Sequence, residues 1–161
     1  MKKLFSKKPA ASSKRAKRPD TAPELKSESS LEAMTNQRLD ALIRNNAQNV
    51  EGQLGYWQLN ISGRDLLVIT DASHNRMRIM SPVAAQERMD EAELIRLLEA
   101  NFSSALDAKY ALRDGTLWSV STHPLGELTD EQFLDCLAQV FNLANNFGSS
   151  YASSNLTFGG K

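Results

Sequence analysis

The chain has 161 residues, 41% hydrophobic and 24% charged, with 19 basic and 19 acidic side chains and therefore no formal net charge at pH 7. That length suits one domain with flexible ends. No apolar run approaches the roughly 18 to 20 residues that span a bilayer, and the single Cys136 excludes an internal disulfide.

Residues 1–30 carry nine Lys or Arg against three Asp or Glu, whereas residues 31–161 carry ten against sixteen. The body is acidic and its leader basic. Residues 1–29, MKKLFSKKPAASSKRAKRPDTAPELKSES, are rich in Lys, Ser, Ala and Pro and show no helical or strand period, which predicts a disordered basic tail. Such a tail solubilises, or makes weak contacts with anionic partners such as RNA, the ribosome or lipid headgroups. Its charges are not followed by the apolar core and cleavage site of a secretory signal, which points to the cytoplasm.

The folded region is expected over residues 30–148. Ser29 and Glu32 form a capping box, and Leu31, Leu39, Leu42, Ile43 and Val50 make the stripe of a first helix that Gly52 stops. YWQLNISGRDLLVIT reads as two strands around Ser62-Gly63-Arg64-Asp65, with Gly63 opening a type II′ turn. This turn pairs Ile61 with Leu66, Leu59 with Val68 and Trp57 with Thr70, and it puts these six on one apolar face. The other face carries Tyr56, Gln58, Asn60, Leu67 and Ile69.

After the turn-like DASHN, RMRIMSP gives a third strand, with Met77 and Ile79 on one side and Arg76, Arg78 and Met80 on the other. Pro82 ends its pairing or marks an edge. Asp90 and Glu93 cap a second helix, with Leu94, Leu97, Leu98 and Phe102 as its buried stripe. Thr129 and Gln132 cap a third, with Phe133, Leu134, Leu137, Val140, Phe141 and Ala144 facing inward and Gly148 at its C-terminus. Residues 149–161 have no period and are expected to be a flexible tail.

Between the second and third helices, ALRDGTLWSVSTHP allows two hairpin registers. A two-residue turn at Asp114-Gly115 would put Lys109 and Arg113 on the face of Trp118 and Val120. A three-residue loop, Arg113-Asp114-Gly115 with Gly115 as a bulge, gathers Leu106, Ala108, Tyr110, Leu112, Trp118 and Val120 on one face. Lys109, Ala111, Arg113, Leu117, Ser119 and Ser121 then take the other. Burying an unpaired lysine costs several kcal/mol, against about 1.5–3 kcal/mol for exposing one large apolar side chain, so the bulged register is expected.

The order helix-strand-strand-strand-helix-strand-strand-helix, with strands in runs, predicts an α+β domain with an antiparallel sheet. Chemistry-bearing residues are few. Asp71, Ser73 and His74 have the composition of a turn, His123 precedes Pro124 in a loop, and Cys136 lies in the third helix stripe's shadow. Gly52-Gln53-Leu54-Gly55 precedes a strand and lacks the strand-to-helix context of a phosphate cradle. No catalytic residue, metal-ligand spacing or cofactor motif is predicted, and the chain reads as a non-enzyme.

The run from Leu106 to Asn145 resembles the end of class I type III secretion chaperones, the Tir-chaperone group, and of the related bacterial sensory transduction regulator-like proteins. The matching positions are Tyr110, Leu112, Asp114, Gly115, Trp118, Pro124, Leu125, Leu128, Thr129 and Phe133. The resemblance implies a cytoplasmic, bacterial helix-and-sheet domain that forms a homodimer and binds extended segments of other proteins without catalysis. The expected binding face is the second face of the sheet, through Tyr56, Leu67, Ile69 and Met80, with Arg76 and Arg78 meeting acidic residues of the partner. The other reading is a regulatory nucleic-acid- or ribosome-associated protein acting through the basic tail.

Overall fold

A computed structural model of the chain describes residues 32–158. The basic tail and the capping box at Ser29 lie at least partly outside the described residues. Helix α1 (Asn36–Asn46) starts later than that box suggests: Thr35 is its N-cap, and the Thr35 hydroxyl accepts the Arg38 backbone N–H at 3.2 Å. It also ends earlier. Residues 48–53, read as helix and helix stop, form strand β1 (Gln48–Gln53). Asn45 and Asn46 are weak helix formers that end α1 there, and Gly52, at φ 110°, lets β1 pass the Tyr56 carbonyl, which a Cβ would strike.

Strands β2 (Tyr56–Ile61) and β3 (Arg64–Asp71) are joined by Ser62-Gly63, both at positive φ, so the turn is type I′ and not type II′. Leu59 therefore pairs with Leu66 and Trp57 with Val68, two residues away from the expected register. Because side chains alternate with period two, a two-residue slip leaves every one of them on its expected face. Trp57, Leu59, Leu66 and Val68 are buried; Ile61 and Thr70 are half-buried.

Strand β4 (Arg76–Ala85) is followed by a 3-10 turn (Gln86–Arg88), helix α2 (Glu91–Ser103), strands β5 (Lys109–Arg113) and β6 (Thr116–His123), and helix α3 (Asp130–Asn145). The sheet is antiparallel, in the order β1-β2-β3-β4-β6-β5. This is an α+β fold with one strand more than the sequence reading expected. Pro82 marks no edge. Pairing of β4 with β3 runs only as far as Met80, while pairing with β6 continues past Pro82, through an irregularity, to Ala85.

The β5–β6 hairpin overturns the bulged register. Tyr110 pairs with Ser119, Ala111 with Trp118 and Leu112 with Leu117 around a two-residue Asp114-Gly115 turn, both residues at positive φ. The premise that failed is that Trp118 faces the core. Leu117, Ser119 and Ser121 are the buried side chains, and the two serines leave room for α3; Trp118 and Val120 lie on the opposite face. No lysine is buried: exposed Lys109 reaches over to donate to the Asn101 carbonyl at 2.6 Å.

Tyr110 is consequently no partner of Trp118. Its hydroxyl donates to the Leu143 carbonyl at 2.8 Å, and its ring meets Phe147 and Tyr151 edge-on, each at 6.3 Å. Burial and loss of solvation push its phenol well above the ordinary range.

Helix α2 also differs. Its cap is Asp90, which accepts the Glu93 N–H at 2.7 Å, but its buried residues are Leu97 and Ala100, while Leu98 and Phe102 are exposed. The helix is turned by its grip on the sheet edge, where the Asn101 side chain accepts from Tyr110 N–H and donates to Tyr110 C=O. Helix α3 has the expected capping box of Thr129 and Gln132 and buries Phe133, Leu137, Val140 and Leu143. Beyond it the chain is tied down as far as Phe158: Ser153 N–H donates to Ser104 C=O, and Phe158 N–H to Ser103 C=O. Sequence periodicity carries no signal of these backbone contacts.

Candidate functional site

The helices hold the sheet from one side. Trp57 Nε1–H donates to Asp40 of α1 at 2.8 Å, Thr70 donates to Asn36, and Tyr110 reaches α3. Side chains of the opposite face remain open, with no helix over them among the described residues.

The register brings the six expected binding residues together on that open face. Tyr56 stands opposite Ile69, Ile69 opposite Arg78, Leu67 opposite Met80, and Arg76 opposite Asp71. Tyr56, Arg76 and Arg78 are exposed, and Leu67, Ile69 and Met80 half-buried. Next to Met80 across the β4–β6 ladder comes Val120, and then Trp118, which pairs with Pro82 on one side and Ala111 on the other. Leu67, Ile69, Met80, Val120 and Trp118 thus form one apolar seam across three central strands. Sequence reasoning missed Trp118 and Val120. The Asp-Gly dipeptide, the strongest short hairpin signal, would have found them if taken as a two-residue turn.

Charge on the face is divided. Strand β4 brings Arg76 and Arg78 to it and β5 brings Arg113, whereas β3 brings Asp65 and Asp71. Arg76 donates to the Asn75 carbonyl at 2.8 Å and Arg78 to the Thr122 hydroxyl at 3.1 Å, and neither joins an ion pair among the described residues. Asp71 is held down to about 2 by hydrogen bonds from Ser73 and His74, so it stays a carboxylate at the end of the β3–β4 turn. A groove of ≈ 300 Å³ runs between Ile69, Arg76, Arg78 and Thr122. The Trp118 indole N–H is shielded from solvent and has no acceptor among the described residues.

The chemistry-bearing residues lie elsewhere. Asp71, Ser73 and His74 bond one another within an exposed turn, and His123 Nδ1 sits 2.7 Å from the Pro124 carbonyl. Cys136 is buried, and burial pushes its thiol up, away from the thiolate that nucleophilic chemistry needs. The nearby Asp107 and Asp135 are both engaged by Gln139 Nε2, at 3.2 and 2.7 Å. Among the described residues no three His, Cys, Asp or Glu side chains are grouped to hold a metal, and no helix is long and apolar enough to cross a membrane.

A twisted antiparallel sheet with helices on one face and an open, half-apolar face on the other defines the fold class: it is that of the type III secretion chaperones. Three solved structures show the likeness. A chain of the HopA1–SchA chaperone–effector complex matches with TM-score 0.54 and 14% identity, over 68% of this chain and 88% of its own. A chain of the ExsC–ExsE complex matches with TM-score 0.53 and 14% identity, over 78% and 98%. The Yersinia pestis type III secretion chaperone SycH, in complex with a stable fragment of YscM2, gives 0.53 and 15%, over 68% and 96%. No family model and no curated protein matches the chain.

Proposed function

We propose that this chain is a non-catalytic chaperone-like protein of the bacterial cytoplasm that works as a homodimer and receives an extended segment of a partner protein on its open sheet face. The observation that carries the reading is the apolar seam of Leu67, Ile69, Met80, Val120 and Trp118, left bare by the helices among the described residues, which pack on the other side. Two of the similar solved structures hold a chaperone with an effector or with a stable fragment of another protein, which supports the same reading.

An extended segment suits the site chemically. Apolar side chains spaced two apart would cover Leu67, Ile69 and Met80, with Tyr56 closing one end. Intervening acidic residues would meet Arg76 and Arg78. Of the sheet's two edges, β5 is stopped at Tyr110 by Asn101, so β1 is the edge open to further backbone pairing.

A photo-crosslinking side chain placed at position 69 of the full chain, with the exposed position 131 of α3 as control, tests this in the native cell. Capture of one defined protein from position 69 alone is the expected result. Equal capture from both positions, or nucleic acid recovered through residues 1–29, would overturn it in favour of a surface contact or the basic-tail reading.

A further inference from the structure

Past α3 the chain leaves at Gly148, at φ 80°, and lies against the C-terminal ends of α2 and α3. There its backbone is held at three successive residues. The Ser104 hydroxyl donates to the Tyr151 carbonyl at 3.0 Å, Asn146 Nδ2 to that of Ala152 at 2.8 Å and Asn142 Nδ2 to that of Ser153 at 3.2 Å. In return Ser153 N–H donates to the Ser104 carbonyl at 3.1 Å and Phe158 N–H to that of Ser103 at 2.8 Å, satisfying acceptors that the end of α2 leaves open. One side chain anchors the segment. The Tyr151 ring stands edge-on to Tyr110 and Phe147, at 6.3 and 6.1 Å, and its hydroxyl donates to Glu93 in the first turn of α2.

Donors from two helices thus bind main-chain carbonyls, which every polypeptide carries, while selectivity rests on an aromatic ring at 151 and a small buried residue at 153. The segment in place is lightly held. From Ser149 to Phe158 only Ser153 is buried, and its hydroxyl has no partner among the described residues. Leu156 and Phe158 are more than half exposed, and Tyr151 sits at φ 53°, a conformation uncommon for so large a side chain. A segment fixed by hydrogen bonds with little apolar burial opens locally, ahead of the fold it lies on. We propose that residues 149–158 are a releasable strap seated in a second peptide site, and that an extended partner segment takes its place. The chemistry of that segment is the strap's own: an aromatic side chain to meet Tyr110 and Phe147, followed by two small residues whose carbonyls meet Asn146 and Asn142. The site lies on the helix-bearing side of the sheet and stands independently of the open-face reading.

Fluorescence anisotropy is the test, with a labelled peptide of residues 149–158 added to the full chain and to the full chain carrying Tyr151→Ala and Ser153→Pro. These substitutions strip the strap of its anchoring ring and of the N–H that meets Ser104, and both lie outside the helices and the sheet, so the circular dichroism spectrum should be kept. The variant should bind the peptide saturably, and the wild type, whose own strap competes at an effective concentration on the order of millimolar, should bind it at least about tenfold more weakly. Adding Asn142→Ala and Asn146→Ala to the variant should remove the binding. No binding by the folded variant, or equal binding by both chains, would overturn the proposal. Hydrogen exchange on the wild type decides the matter should the variant fail to fold: the Ser153 amide should exchange at least about a hundredfold faster than that of Val140 inside α3. Exchange of the two at one rate would mean that the strap leaves only when the whole fold does, and would overturn the proposal equally.

Discussion

Asp40 shows how one partly exposed side chain on α1 holds the sheet beneath it. Its carboxylate accepts from the Arg44 guanidinium at 3.0 Å and from the indole N–H of Trp57 at 2.8 Å. The bond to Arg44 first, and that to Trp57 second, keep it below the usual carboxylate range. Trp57 itself is fully buried. Asp40→Ala strips the indole of its acceptor and leaves a buried donor unpaired, so unfolding free energy in urea should fall by about 1–3 kcal/mol. The Arg44 pair, lying at the surface, adds little to that figure. An Asp40→Ala variant as stable as the wild type would mean that the indole finds another acceptor.

At the scale of elements, the β5–β6 hairpin separates the two registers experimentally. Gly115 sits at φ 73° in the two-residue turn, with nothing near the position of a Cβ. Gly115→Val should therefore cost about 1–2 kcal/mol through backbone conformation alone. Nuclear Overhauser contacts should join the backbones of Tyr110 and Ser119; contacts joining Tyr110 and Trp118 as opposite residues would restore the bulged register. The sequence reading erred here because it weighed the cost of a buried lysine on a face that is not buried. Where the signal is local, reading succeeded: Asp90 and Thr129 cap α2 and α3 because a cap and its N–H partners lie within four residues. Strand β1 stayed invisible because QNVEGQ is polar on both faces and owes its conformation to pairing with β2. The orientation of α2 depends on Asn101 meeting Tyr110, a contact no helical period encodes.

For the molecule as a whole, the open face was half legible. Tyr56, Leu67, Ile69, Arg76, Arg78 and Met80 share it because strand alternation survives the two-residue slip of the β2–β3 turn. Trp118 and Val120 were hidden because the large aromatic was assigned to the core, while two serines fill that role under α3. Their addition makes the face a seam across three strands with an unsatisfied indole N–H at one side, flanked by arginines that make no ion pair among the described residues. The central claim is that this seam is the binding surface. Its most direct test is titration calorimetry of the purified partner segment captured at position 69 against the wild type and against Leu67→Asp combined with Ile69→Asp. Both side chains are partly exposed, and the variant is expected to keep its fold by circular dichroism while its affinity drops by at least about a hundredfold, as loss of two buried apolar contacts requires. A folded variant that binds the segment as tightly as the wild type would contradict the account.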